Sequence, residues 1–152
     1  MNIPICYIFT FFLIFLPLIK TQQEPKLNVM YLNHNYSNKL DKNESHEYYI
    51  LTLDNFTQNP DDKIPKMLTF YIQENKSNIE DGEEIFSDPD VYVSKINKYP
   101  SNPGNSEWYS ERYGNDILTI SDIKVNDTFY VGIYCQFKCR YTIFPSLIWD
   151  FF

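Results

Sequence analysis

The stretch TFYVGIYCQFKCRYTI, Thr128 to Ile143, narrows the structures open to this chain more than any other. Apolar residues alternate on both sides of a Cys-x-x-x-Cys spacing. Phe129, Val131, Ile133 and Cys135 share one face of a strand, and Cys139, Tyr141 and Ile143 share one face of the next. Four residues along a straight strand separate Cα atoms by roughly 13 Å, beyond the ~7 Å limit for a disulfide, so the chain must turn at Gln136-Phe137-Lys138. The spacing predicts a hairpin with Cys135 opposite Cys139, a staple worth about 2 kcal/mol in the chain-entropy model. A zinc reading of the same cysteines with His34 and His46 lacks ligand spacing, because both histidines lie in the polar stretch NHNYSNKLDKNESHE.

Further strands follow from the same kind of pattern. LNVMYL (27–32), EYYILTL (47–53), MLTFYI (67–72), VYVSKI (91–96), EWYSERY (107–113) and DILTISDI (116–123) precede TFYVGIYC (128–135) and CRYTI (139–143). Loops rich in Asn, Asp, Pro and Gly separate them. The 13 Tyr and 12 Phe favour pleated, half-buried surfaces, and 152 residues with 43% hydrophobic content suit one core. Seven to eight short strands without a helical period predict an all-β antiparallel sandwich. The expected organisation is a hydrophobic leader over 1–22, a polar N-terminal segment over 23–46, the sandwich over 47–144, and an apolar C-terminal tail over 145–152.

The leader's apolar run, Ile3 to Ile19, contains Cys6 and carries no charge. It matches the central region of a secretory signal and is shorter than a comfortable membrane span of about 20 residues. The flank IKTQQ offers no A-x-A-like cleavage site, so a cleaved signal and a retained anchor are both readings of this segment. Asn-x-Ser/Thr sequons at Asn35, Asn43, Asn55, Asn75 and Asn126 fit an exported glycoprotein. The formal charge of −7 argues against nucleic acid and against peripheral binding to anionic lipid, which leaves membrane attachment only through the leader. Tyr99, Trp108 and Tyr109 flank a Pro/Asn/Gly loop and are candidates to stack on a sugar or grip a protein, with core packing the competing role for Trp108.

SDPDVYVSK, Ser87 to Lys95, poses the question of an acidic site or a strand corner. No catalytic constellation accompanies it: His34 and His46 are the chain's two histidines, and no GxSxG elbow or Gly-rich phosphate loop is present. The order of motifs from EYYILTL through SDPDVYVSK and YPSNPGNSEWYSERYG to TFYVGIYCQFKCRYTI resembles the bacterial pre-peptidase C-terminal domain and related jelly-roll modules in surface proteins of single-celled eukaryotes. The resemblance covers about residues 45–143, with Asp88, Asp90, Trp108, Tyr130, Gly132 and Tyr134 at its motif positions. It implies a jelly-roll-like, non-catalytic appendage for binding, targeting or folding, here without an attached protease domain, so a lone module or a part of a longer surface protein.

Some such modules bind calcium. With acid density in the preceding loop, this makes Asp81, Glu83, Asp88 and Asp90 candidate oxygen ligands, and a purely structural corner the competing reading. No other cofactor is expected. The sequence thus predicts an exported, non-catalytic binding or adhesion module for an extracellular protein or glycan. The alternatives are a structural or folding appendage of a larger surface protein, and a calcium-binding module.

Overall fold

Period-two alternation gives each strand one face to bury, and two sheets stacked face to face satisfy that requirement together. The computed structural model describes residues 23–54, 65–75 and 88–149. Its strands are β1 (Leu27–Met30), β2 (Tyr36–Leu40), β3 (Ser45–Thr52), β4 (Pro65–Glu74), β5 (Pro89–Ser94), β6 (Trp108–Ser110), β7 (Asp116–Ser121), β8 (Thr128–Cys135) and β9 (Cys139–Trp149). One sheet has the order β1-β3-β8-β5-β6 and the other β2-β9-β4-β7. All pairings are antiparallel except β1 with β3, which is parallel. This is the predicted β-sandwich. The leader over 1–22 with Cys6, the sequon at Asn55, and Asp81 and Glu83 lie outside the described residues.

The core forms where the inner faces meet. Leu51 of β3, Val91 and Val93 of β5, and Phe129, Val131 and Ile133 of β8 press against Leu68, Phe70 and Ile72 of β4, Ile120 of β7, and Tyr141 and Ile143 of β9. The alternation in TFYVGIYC and CRYTI is therefore as read from sequence, but the turn between them is not a hairpin. β8 belongs to the five-stranded sheet and β9 to the four-stranded one. The inward faces oppose each other across the sandwich rather than lying side by side, and the Cys135–Cys139 disulfide joins the sheets at a corner with Cα atoms 6.1 Å apart. Spacing alone fixed the reversal of the chain and left its plane undetermined.

Three further differences concern the ends of the domain. The polar run YSNKL, expected within a loop, is edge strand β2, with Tyr36 and Leu40 packed against the core and Ser37 and Asn38 exposed. A strand at a sheet edge needs only a weak apolar face, and polar residues protect it from further pairing. The sandwich therefore begins with β1 and β2, ahead of residue 47. The apolar tail continues β9 to Trp149, paired with β4 at Phe144 to Trp149. Pro145 is tolerated in this strand because a residue's N–H and C=O lie on the same side of a strand. Its carbonyl accepts from Asn33 N (2.8 Å), beyond the end of β2, so no ladder bond is lost on that side. EWYSERY contributes only Trp108–Ser110, because the chain then crosses to the other sheet through a turn where Gly114 has φ 91°.

Candidate ligand-binding face

Outward residues of the five-stranded sheet form a surface of rings and carboxylates. β3 supplies His46 and Tyr48, β8 supplies Tyr134, and β5 supplies Asp90, all at positions alternating with the core residues; Tyr92 shares this parity but is buried. The segment NKYPSNPGNSE folds back onto this surface at Gly132. A Cβ there would lie 1.9 Å from the Pro100 carbonyl oxygen, so only glycine permits the approach. The loop holds itself in shape through asparagine side chains. Asn97 Oδ1 accepts from Tyr99 N (3.0 Å), Asn97 Nδ2 donates to Asn105 O (3.0 Å), Asn105 Oδ1 accepts from Ser101 N (2.8 Å), and Asn102 Oδ1 accepts from Gly104 N (2.9 Å). Such local side-chain bonds substitute for the ladder that an irregular segment lacks.

Docking of this loop completes an aromatic group. The His46 and Tyr48 rings lie 5.8 Å apart with planes at 3°, His46 and Tyr134 at 4.7 Å, and Tyr48 meets Tyr99 edge-on at 5.2 Å. Tyr99 Oη donates to Glu24 Oε2 (3.1 Å), and Ser101 O lies 3.5 Å from His46 Nε2. Burial lowers the His46 pKa, partly offset by that carbonyl, and so favours the neutral ring. Burial raises the Tyr48 hydroxyl, with Tyr99 adding to it. The group presents flat apolar faces with polar tips, suited to stacking.

Of the aromatics predicted to contact a ligand, Tyr99 stands in this group. Tyr109 points outward from edge strand β6 and is 49% exposed. Trp108 faces inward, its ring 6.1 Å from that of buried Phe129, so it belongs to the core. His46, Tyr48 and Tyr134 were not singled out as a group in the sequence. Their outward parity was readable there, but the β3–β8 register that places His46 opposite Tyr134 was not.

The described part of this stretch, Asp88 to Lys95, enters β5 at a strand corner. Asp88 Oδ1 accepts from Gly114 N (2.8 Å) and so pins the turn between β6 and β7. Asp90 is half-buried, and its pKa is pushed up to about 7, first by burial and then by the charges of Asp88, Glu111 and Asp116. Tyr92 Oη donates to Glu111 Oε1 (2.7 Å). Asp116 is fully buried: Oδ1 accepts from Ser110 Oγ (2.6 Å) and Arg112 N (3.3 Å), while Oδ2 has no partner among the described residues. Among the described residues, no group of three or more His, Cys, Asp or Glu is arranged to hold a metal.

Of the sequons, Asn35, Asn43 and Asn126 are exposed. Asn75 is half-buried, with its backbone N donating to Arg140 O (2.9 Å) and its Nδ2 donating to Thr142 Oγ1 (2.9 Å).

No protein-family model and no curated protein matches this sequence. Among solved structures, the chain is similar in fold to the pre-peptidase C-terminal domain of a collagenase from Bacillus anthracis. The TM-score is 0.53 at 11% identity, over 81% of this chain and 97% of that one.

Proposed function

We propose that the chain is an exported, non-catalytic module that binds an extracellular protein or glycan through the outer face of its five-stranded sheet. The convergence of His46, Tyr48, Tyr99 and Tyr134, fixed by a self-bonded loop on Gly132, carries this reading. Rigid rings with polar tips supply contact area at low entropic cost. The buried disulfide and the apolar leader support export, and Asn35, Asn43 and Asn126 are the sequons whose exposure suits a glycan. His46 is engaged with rings and the Ser101 carbonyl, which supports a packing role over that of a catalytic base.

The test is binding of the secreted, purified protein to an array of immobilised glycans and extracellular proteins, compared with Tyr134→Ala. The expected result is a reproducible ligand that the variant loses while its melting temperature is held. Equal binding by the folded variant removes the outer face as the binding surface. A second reading, a structural or folding appendage of a larger surface protein, draws on the fold neighbour being one domain of a collagenase.

A further inference from the structure

Among the described strands, β1 and β6 end one sheet and β2 and β7 the other. The free side of an edge strand exposes unpaired N–H and C=O groups, and proteins blunt it by keeping the strand short or by placing charge on it. β1 has four residues and β6 three, with Glu107 and Glu111 bracketing β6, and β2 carries Lys39. β7 has none of these devices. It runs for six residues, DILTIS, in unbroken register with β4, and its exposed residues are Ile117, Thr119 and Ser121. Ladder parity identifies its free backbone groups. Asn75 N donates to Arg140 O (2.9 Å), which continues the β4–β9 ladder and turns the odd-numbered residues of β4 toward β9. Pro145, opposite Phe70, agrees, because its carbonyl bonds on the β2 side, to Asn33. The even-numbered residues of β4 therefore face β7 and meet Asp116, Leu118 and Ile120. The N–H and C=O groups of Ile117, Thr119 and Ser121 are left directed away from the sheet, with no backbone partner among the described residues.

We infer that β7 pairs antiparallel with β7 of a second copy about a two-fold axis at Thr119, joining the four-stranded sheets of two chains into one continuous sheet. In this register Thr119 meets the partner's Thr119 and Ile117 meets the partner's Ser121, so every outward N–H and C=O of the three residues is satisfied. The pairing ends where the chain leaves the ladder at Asp122, φ 56°. Two features favour a copy over a free peptide. The partner strand is already ordered, so pairing does not carry the entropic cost of straightening a flexible segment. The outward residues of β7 and of its neighbour β4, from Met67 to Gln73, carry no charge, so two chains of formal charge −7 meet without like charges opposed on this face. A two-fold contact of this kind closes after two copies. Its axis is perpendicular to the joined sheet, so both five-stranded sheets turn their outer faces the same way and the dimer presents the proposed binding face twice. That consequence, unlike the dimer itself, rests on the binding reading above.

The test is sedimentation velocity on the full secreted protein from about 1 to 300 μM, with amide hydrogen exchange followed over the same range. The expected result is a concentration-dependent shift to twice the monomer mass. Exchange at Ile117, Thr119 and Ser121 should slow as the dimer forms, while Leu118 and Ile120 are already protected at the lowest concentration. Thr119→Pro removes an outward N–H that bonds to nothing in β4, and Ile117→Lys places a charge on the edge. Each is expected to weaken dimerisation about tenfold or more while the monomer stays folded. If Thr119→Pro fails to fold, Ile117→Lys and the exchange pattern still decide. A dimer that folded Ile117→Lys leaves equally tight overturns the pairing. So does a chain that stays monomeric across the range, which would turn the edge over to an extended segment of a different protein. A dimer that binds no array ligand keeps the pairing and removes only the doubled binding face.

Discussion

The two open edges of the sandwich each hold a carboxylate, half-buried at one and fully buried at the other, and they treat it in opposite ways. Beside β1 and β2, Glu47 receives three hydrogen bonds shared between both oxygens. Beside β6 and β7, Asp116 receives two on one oxygen and none among the described residues on the other, with Asp88 adding like charge and Arg112 partly offsetting it. A buried charge is tolerable when its lone pairs are met and costly when they are not. The first edge holds its carboxylate fixed by hydrogen bonds; the second gains from taking up a proton.

The largest expected effect comes from breaking the satisfied edge. Glu47→Ala leaves the Tyr141 hydroxyl and two amides without their acceptor, and chemical denaturation should show a loss of about 3 kcal/mol. Reduction of Cys135–Cys139, which ties the sheets independently of either edge, should lower stability by about 2 kcal/mol in the same measurement. A smaller stability loss from Glu47→Ala than from reduction would contradict the ranking.

The strained edge should respond with the opposite sign. Burial holds the Asp116 pKa above its ordinary value, so above the ordinary carboxylate range the folded state carries the penalty. Asp116→Asn removes the charge and keeps an oxygen for Ser110, so melting at neutral pH should show a gain of about 1 kcal/mol that disappears on acidification. Asp90 extends the same logic. Its folded pKa of about 7 exceeds the unfolded value, so its contribution is most favourable below about pH 4 and is lost as pH rises through about 7. With the side chain half-exposed, solvent screening reduces this to about 1 kcal/mol, seen as a pH slope that Asp90→Asn abolishes. Tyr113, 84% exposed at the turn between β6 and β7, is the reference: Tyr113→Ala should change stability by less than about 0.5 kcal/mol.

The two edges also differ in how much of them the sequence reveals. Asp88, Pro89 and Asp90 mark a strand corner by local chemistry, and Gly114 marks the turn that Asp88 holds. Glu47 gives no such signal, because its partners Asn28, Asn38 and Tyr141 come from three other strands and meet it only through the stacking of the sheets. The alternation in β3, β7, β8 and β9 was legible because each strand records its own burial. Whether the chain turned within a sheet or between sheets at Cys135–Cys139 was not, since a short reversal brings the cysteines together in either case. Trp108 shows the same limit: ring chemistry permits a ligand contact, and only the parity of β6 sends it into the core.

The strand order also sets when this domain can form. β2 pairs with β9, as in the Ser37–Thr142 hydroxyl contact spanning 105 positions, and β3 pairs with β8. β1 and β3 can pair early, but β2 and β3 find these partners only after the late strands exist, and contacts between residues so distant in sequence are the slowest to establish. During synthesis, β2 and the free edge of β3 must wait unpaired until β8 and β9 emerge, so commitment to the native fold waits for these two strands.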